Sequence, residues 1–180
     1  IRDRTEDSLF KSWAEDERRS IQIKDLLQMS SGLAFSEVYT PGSDATRMLF
    51  MQPRAANVPL QNPLEHPSGS HFSYSSGTTN LLSLLFTQRV GGPQQAIDHL
   101  YEDILWPLGM LRTTLEPDAT GVFMGSSNIY ASTRDWARLA EAFLNRGELN
   151  GYRVAGINYM DRAIVPNDSD NAPAYGYQVW

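Results

Sequence analysis

One helix with almost no polar face constrains the fold of this chain more than any other feature. It is predicted over 77–90, GTTNLLSLLFTQRV, where five of the six residues from 81 to 86 are large and apolar. A helix that is apolar on every side is buried among other elements. We therefore expect it at the centre of the domain, with Ser75 or Ser76 as its N-cap and with Gly91 and Gly92 at its end.

Four further helices are predicted from apolar residues at helical spacing and from residues that start or stop helices. They fall in the segments 21–32, 43–51, 93–110 and 132–147. The last is the best marked, because Ser132 can cap it and Asp135 lies where the positive end of the helix dipole favours an acid. Its predicted apolar stripe consists of Trp136, Leu139, Ala140, Phe143 and Leu144.

The segment 33–70 is long and irregular. Five prolines and two glycines interrupt it, and only 43–51 has a helical pattern. Loops of this length inside compact domains are usually either functional or disordered. We therefore interpret the segment as a candidate wall or lid of a pocket.

Composition indicates a globular protein and excludes several classes of function. Hydrophobic residues make up 41% and charged residues 20% of the 180 residues, which suits one domain with its own core. No apolar run approaches the roughly 20 residues of a membrane helix, so we expect no membrane span. The net charge of −6 and the scattered basic residues argue against a nucleic-acid groove. The lack of cysteine excludes thiol nucleophiles and leaves periplasm and cytoplasm equally open.

Both ends of the sequence look internal to something longer. The chain begins at Ile1 with no signal-like region, and it ends at Trp180 within YGYQVW. The alternating aromatic residues of that last stretch predict the start of a strand. We therefore expect 1–180 to be a single partial domain.

The usual patterns of hydrolytic and metal sites are missing from the sequence. No Gly-x-Ser-x-Gly elbow is present, and His66, His71 and His99 have no evident partner. Neither a histidine pair at metal-binding spacing nor a carboxylate cluster occurs. We therefore predict no metal and no other cofactor.

Ser8 and Lys11 match the pattern Ser-x-x-Lys. A lysine one turn after a serine can remove the proton of the serine if burial keeps the amine neutral. However, all five residues from 15 to 19 are charged, and such a segment stays in water. We interpret this match as a coincidence.

Tyr74 lies in the stretch HFSYSSGTTNLL, directly before the predicted buried helix. Two interpretations are open. The ring could be a packed aromatic whose hydroxyl is satisfied, or the phenol could be positioned to move a proton for a nucleophile. The second interpretation needs a nucleophile, and the chain contains no convincing one.

The order of five segments along the chain indicates a resemblance to a known family. They are IKDLLQMSSGL, HFSYSSGTTNLLSLL, ILWPLGMLRTTL, GSSNIYASTRDWARLAEAFLNRGELNG and YGYQVW. In this order they resemble the serine beta-lactamase-related family, over about residues 21–180. That family includes class C beta-lactamases, D-alanyl-D-alanine carboxypeptidases, esterases and hydrolases of 6-aminohexanoate oligomers. The residues of these segments are most similar to those of the 6-aminohexanoate-dimer hydrolases.

The resemblance implies an α+β fold in which a helical region packs on an antiparallel sheet. This chain would hold mostly the helices and loops, and most of the sheet would be missing. The family uses three catalytic elements: Ser-x-x-Lys, Tyr-x-Asn or Tyr-x-Ser, and a Lys/His-Thr/Ser-Gly strand. Only the second is present, as Tyr74 and Ser76. The first would lie further upstream of MSSGL than Ser8 does, and the strand would follow Trp180.

By this resemblance the parent protein is a serine hydrolase that cleaves ester or linear amide bonds of a small molecule through an acyl-enzyme. Tyr74 and Ser76 are its implied catalytic residues, and Tyr39 and Ser126 are implied to bind substrate. Ser76 replaces the asparagine of class C beta-lactamases, which favours an esterase or amidase. Two alternatives stay open: a penicillin-recognising carboxypeptidase or beta-lactamase, and a non-catalytic binding protein. For Tyr39 and Ser126 the alternatives are an exposed loop tyrosine and an ordinary turn serine.

Overall fold

The computed structural model describes residues 8–180, and one long helix lies at the centre of its first half. This helix, α4 (Ser76–Val90), contacts α1 (Ile23–Leu27), α2 (Asp44–Phe50), α3 (Asn57–Gln61) and α5 (Pro93–His99). α5 continues as a π-helical turn over Leu100–Leu105. Two 3-10 turns, Lys11–Trp13 and Glu17–Ser20, precede α1.

α4 begins and ends where the sequence predicts. Ser75 is the N-cap, because its Oγ accepts a hydrogen bond from the backbone N–H of Thr78 at 3.1 Å. Gly91 ends the helix in the left-handed region with a φ of 102°, a conformation that glycine adopts without a steric penalty. The residue before the N-cap is Tyr74, so the cap fixes where that side chain leaves the helix.

The main hydrophobic core packs against α4. Its buried members are Phe10, Trp13, Ile21, Leu26, Leu33, Ala56, Leu81, Leu84, Leu85 and Val122. Each fully buried leucine contributes about 1.5–3 kcal/mol of transfer free energy. The predicted burial of this helix is confirmed, and it extends to polar residues: Ser76, Thr78, Asn80, Ser83 and Thr87.

Residues 113–163 form two short hairpins and two helices. β1 (Thr113–Leu115) pairs antiparallel with β2 (Ile129–Ala131), and β3 (Glu148–Leu149) pairs antiparallel with β4 (Tyr152–Arg153). α6 (Thr133–Leu144) lies between the hairpins in sequence, and α7 (Ile157–Ala163) follows them. A second core packs this part against residues 105–110, with Leu105, Leu108, Met110, Ala142 and Leu149 buried.

α6 has the predicted N-cap, but only part of its apolar stripe is covered. The Oγ of Ser132 accepts a hydrogen bond from the backbone N–H of Asp135 at 3.2 Å, and Leu139 packs against the second core. Trp136 and Leu144 are 47% and 84% exposed, because within residues 8–180 no element covers that side of the helix.

The strand predicted in YGYQVW does not form, and that prediction was wrong. The N–H of Gly176 donates to the carbonyl of Val179 at 2.8 Å and closes a tight turn. The backbone N–H and the side-chain amide of Gln178 then donate to the carbonyl of Leu27 in α1. A strand needs a neighbouring strand to satisfy its backbone groups, and in the described part of the chain this segment meets a helix instead.

The fold is α+β, with helices dominant and two small antiparallel sheets. The helices predicted in 21–32, 43–51, 93–110 and 132–147 are confirmed. α3 and α7 were not predicted, because each is short and α3 contains Pro59. Every helix of residues 8–180 is too short or too polar to cross a membrane.

Candidate active site

Tyr74 lies at the surface beside the first turn of α4. Its side chain is 46% exposed. The ring stacks on Trp180 with centroids 6.0 Å apart, and it meets the edge of Tyr175 at 6.2 Å. The phenol is therefore held by aromatic contacts while its oxygen stays available.

Tyr175 supports the Tyr74 ring from the core side. It is only 2% exposed, and it also packs edge-on against Trp180 at 4.9 Å. Burial, with a smaller contribution from the neighbouring Tyr74 phenol, raises the pKa of Tyr175 to about 12. Tyr175 therefore stays neutral at physiological pH, and it acts as packing for Tyr74.

Ser76, two residues after Tyr74, is bound to an acid that comes from the long loop. The Ser76 Oγ donates to Glu37 Oε1 at 2.5 Å, and the Ser76 backbone N–H donates to Glu37 Oε2 at 2.8 Å. The N–H groups of the first helical turn have no partner inside the helix. Glu37 satisfies one of them, and its negative charge suits the positive end of the helix dipole.

Tyr39 reaches the same acid. Its hydroxyl donates to Glu37 Oε1 at 3.0 Å, although the ring itself is 63% exposed. Burial of the phenol oxygen raises the pKa of Tyr39, and the hydrogen bond to the Glu37 carboxylate raises it further. The structure thus brings together Tyr39 and Ser76, which sequence reasoning selected separately, through a residue that it did not select.

Ser126 is joined to α4 one turn beyond Ser76. Its Oγ accepts a hydrogen bond from Asn80 Nδ2 at 2.8 Å and lies 3.3 Å from the Oγ of Ser127. Asn80 is 2% exposed, and its Oδ1 is buried without a hydrogen-bond partner in the described chain. Residues four apart share one face of a helix, so Ser76 and Asn80 lie on the same side of α4.

Sequence reasoning missed Glu37 and Asn80 for different reasons. Glu37 lies in an irregular loop, 39 residues before the serine that it binds, and no local pattern pairs two such positions. Asn80 did carry a signal, since it is a carboxamide inside an otherwise apolar helix, four residues after Ser76. Buried amides of this kind are usually hydrogen-bonded, and the spacing could have marked it.

The other residues considered from sequence lie outside this cluster. The Ser8 hydroxyl donates to the carbonyl of Phe10 at 2.8 Å, and Lys11 is exposed on a 3-10 turn, so they do not act as a pair. His99 does have a partner, contrary to the sequence analysis, because Asp103 lies one turn later with a nitrogen–oxygen distance of 2.5 Å. His66 and His71 stack on each other with centroids 4.1 Å apart.

No group of three or more His, Asp or Glu side chains within residues 8–180 converges in a way that could hold a metal ion. A cleft of about 230 Å³ lies between α1 and α7, where Lys24, Tyr159 and Arg162 line it. It shares no residue with the cluster of Tyr74, Ser76, Glu37 and Tyr39. That cluster lies at the N-terminal end of α4.

Comparisons with known proteins give a family match for the sequence and several structures that share the fold. A family model described as Beta-lactamase matches residues 5–158. A protein designated a 6-aminohexanoate-dimer hydrolase from Bacillus anthracis has a TM-score of 0.76 and 22% identity, over 98% of this chain and 51% of that chain. A D-stereospecific amidohydrolase from Streptomyces sp. has a TM-score of 0.64 and 17% identity, over 89% of this chain and 56% of that chain.

A protein from Bacteroides dorei DSM 17855 designated a beta-lactamase has a TM-score of 0.64 and 16% identity, over 84% of this chain and 45% of that chain. At such identities the shared feature is the fold. The chain spans about half of each of these solved chains, between 45% and 56%. No curated protein matches the sequence.

Proposed function

The chain belongs to the beta-lactamase family, and we propose that the intact protein containing it is a serine hydrolase that cleaves ester or linear amide bonds through an acyl-enzyme. Tyr74 transfers protons in this reaction. Ser76 is its catalytic neighbour, and Tyr39 and Ser126 border the substrate. The nucleophilic serine and its lysine belong, in this proposal, to parts of the intact protein outside this chain.

One observation carries the proposal. The half-exposed phenol of Tyr74 emerges directly before the N-cap of α4, beside a hydrogen-bonded cluster that contains both Ser76 and Tyr39. A structural tyrosine usually has its hydroxyl satisfied when it is packed. Tyr74 is 46% exposed, so its hydroxyl is not packed in this way and can reach a substrate.

The proton transfers follow from the chemistry of a phenol. A free phenol has a pKa of about 10, so Tyr74 acts as a base near neutral pH only if nearby cations favour its phenolate. Lysines of the two family elements outside this chain would supply that charge. The phenolate takes the hydroxyl proton of the serine while the serine oxygen attacks the carbonyl carbon.

The phenol then returns this proton to the leaving amine or alcohol as the C–N or C–O bond breaks. The acyl-enzyme is hydrolysed by water in the second half of the cycle. General acid–base help of this kind contributes about 10²–10⁴-fold to the rate. Backbone N–H donors near the nucleophile would stabilise the oxyanion.

Position 76 favours an ester or linear amide over a beta-lactam. A serine offers a short hydroxyl, whereas an asparagine offers an amide that donates and accepts hydrogen bonds at longer reach. Two structures with this fold are designated a 6-aminohexanoate-dimer hydrolase and a D-stereospecific amidohydrolase. Those designations support an amide or a related ester as the substrate class.

The test uses the intact protein expressed from its complete gene. We expect it to hydrolyse a p-nitrophenyl ester and a linear p-nitroanilide faster than a chromogenic cephalosporin. Tyr74→Phe should lower kcat/KM by at least about 10²-fold and leave the unfolding midpoint nearly unchanged. The matched control is Tyr152→Phe, because Tyr152 is also exposed, at 61%, but lies in the β3–β4 hairpin.

Two outcomes would overturn this proposal. Faster hydrolysis of the cephalosporin would favour a penicillin-recognising enzyme, and equal activities of the Tyr74→Phe and Tyr152→Phe variants would remove Tyr74 from the mechanism.

The 180-residue chain alone should not react with an ester probe or a fluorescent penicillin. Covalent labelling of that chain would show that its nucleophile lies within it.

A further inference from the structure

Among residues 8–180, each polar group that contacts the Glu37 carboxylate donates a hydrogen bond to it. Ser76 Oγ and Tyr39 Oη both donate to Oε1, at 2.5 and 3.0 Å, and the Ser76 N–H donates to Oε2 at 2.8 Å. These partners are two hydroxyls and one amide, all uncharged. Glu37 forms no ion pair within the described part of the chain, whereas Asp44, the first residue of α2, is paired with Arg47.

This arrangement fixes the direction of both hydroxyl groups. A hydroxyl has one hydrogen to donate and lone pairs with which to accept. Because an ionised carboxylate can only accept, the hydrogens of Ser76 and Tyr39 both point at Glu37. Each hydroxyl oxygen is left with lone pairs only for any further partner. Two groups that could otherwise adapt to a donor or an acceptor are thereby restricted to accepting.

The negative charge of Glu37 disfavours a bound carboxylate, as these lone pairs do. Its side chain is only partly buried, and Tyr39 beside it is 63% exposed, so a bound molecule can approach this edge. A carboxylate placed there would meet a like charge and, at the exposed Tyr39, an oxygen that cannot donate to it. Juxtaposed like charges disfavour binding strongly, and a polar group that loses its water without gaining a partner weakens binding further.

We propose that Glu37 is a specificity-determining residue that makes this edge of the site reject substrates carrying a carboxylate and accept neutral or N–H-donating ones. The inference rests on the proposed function and deepens it, because it names the chemical class of substituent that the same site excludes. Glu37 acts here through its own charge and by orienting Ser76 and Tyr39. It takes no part in bond making or breaking.

A matched pair of substrates tests the inference on the intact protein. One is p-nitrophenyl butyrate, and the other is the mono-p-nitrophenyl ester of succinic acid, which has an acyl chain of the same length that ends in a carboxylate. We expect the wild-type protein to favour the neutral ester. Glu37→Gln keeps the shape of the side chain and removes its charge, so it should reduce this preference by about tenfold, mainly through KM for the succinate ester.

Two control variants separate specificity from a general effect on folding. Glu37→Asp keeps the charge and should retain most of the wild-type preference. Glu141→Gln makes the same change of charge on the exposed surface of α6. It should leave the ratio of kcat/KM for the two esters unchanged. Added salt should reduce the preference of the wild-type protein for the neutral ester, because exposed charges are screened. It should have little effect on the substrate preference of Glu37→Gln.

The outcomes distinguish this inference from the proposed function. If neither ester is hydrolysed, or if Tyr74→Phe is as active as wild type, the proposed function fails. If the neutral ester is hydrolysed with the expected dependence on Tyr74 but Glu37→Gln keeps the wild-type preference, the inference fails alone. A Glu141→Gln protein that lost the preference equally would also overturn it, since the effect would then come from net charge.

Discussion

Asn80 Nδ2 donates a hydrogen bond to Ser126 Oγ across 2.8 Å and so ties the buried helix α4 to the segment that leads into β2. The two residues are 46 positions apart in sequence. This contact holds Ser126 on the same side of α4 as Ser76. It is one of the contacts that bring the second half of the chain to the candidate site, together with the packing of Tyr175 and Trp180 on Tyr74.

Ser126→Ala should destabilise the protein by about 1–3 kcal/mol, because it leaves the buried Asn80 amide without its oxygen partner. Chemical denaturation measures this change. Ser127→Ala is the control, since that serine contributes only a 3.3 Å contact to the Ser126 hydroxyl. Replacement of both partners, as Asn80→Leu with Ser126→Ala, should cost less than the sum of the single changes. Strict additivity would show that the bond contributes little.

Gly32→Ala should be far more damaging than Gly42→Ala. Both glycines have a left-handed φ, at 78° and 84°, but a Cβ at Gly32 would lie 2.1 Å from the carbonyl oxygen of His66, and a Cβ at Gly42 would meet nothing within 4 Å. The shared φ costs roughly 1–2 kcal/mol in each variant. The difference between their unfolding free energies therefore isolates the clash, and equal values would contradict the close approach of these backbones.

Glu37→Gln should lower the pKa of Tyr39 toward the ordinary value near 10. Burial would still raise the pKa of Tyr39, but the hydrogen bond to a charged carboxylate would be gone. Carbon-13 NMR of labelled tyrosine rings can follow this titration, with Tyr39→Phe used for assignment. Tyr159 is the internal control, because its raised pKa comes from burial and from Tyr177 and should not change.

Tyr175 makes stability fall at high pH. Its folded-state pKa of about 12 is above the value near 10 expected in the unfolded chain, so its neutral form stabilises the fold below pH 10. That contribution is lost as the pH rises from about 10 to 12. Tyr175→Phe should flatten this part of a plot of unfolding free energy against pH. An unchanged slope would mean that Tyr175 ionises freely in the folded protein.

Asp135 should make the stability of the protein depend on pH under acidic conditions. Burial opposes its ionisation, but hydrogen bonds from the Arg112 backbone, Ser132, Thr113 and Arg138 outweigh this effect and lower its pKa. A lowered pKa means that the stabilisation is complete above the ordinary aspartate value near pH 4 and declines as the pH falls below it. Asp135→Asn should be less stable at pH 7, and its stability should depend less on pH between about 4 and 2. A parallel acid dependence would contradict this role.

The sequence alone determined the local features of this protein. Ser75 and Ser132 as helix caps, Gly91 as a stop, and the burial of α4 all follow from hydrogen bonds and apolar spacing within a few residues of one another. Such features depend on neighbours along the chain, which the sequence states directly. Tyr74 and Ser76 were selected by the resemblance of several segments to a family, and their catalytic role stays a prediction.

Only the tertiary structure decided which distant residues meet. Glu37 binds Ser76 because α4 and the long loop pack side by side, and no periodicity links positions 39 residues apart. Gln178 contacts α1 in the same way, and so YGYQVW turns back where its alternating pattern predicted a strand. The alternation of aromatic residues indicates only which side chains could share one face of a strand. A strand also needs a partner for its backbone groups. That partner is a property of the whole fold.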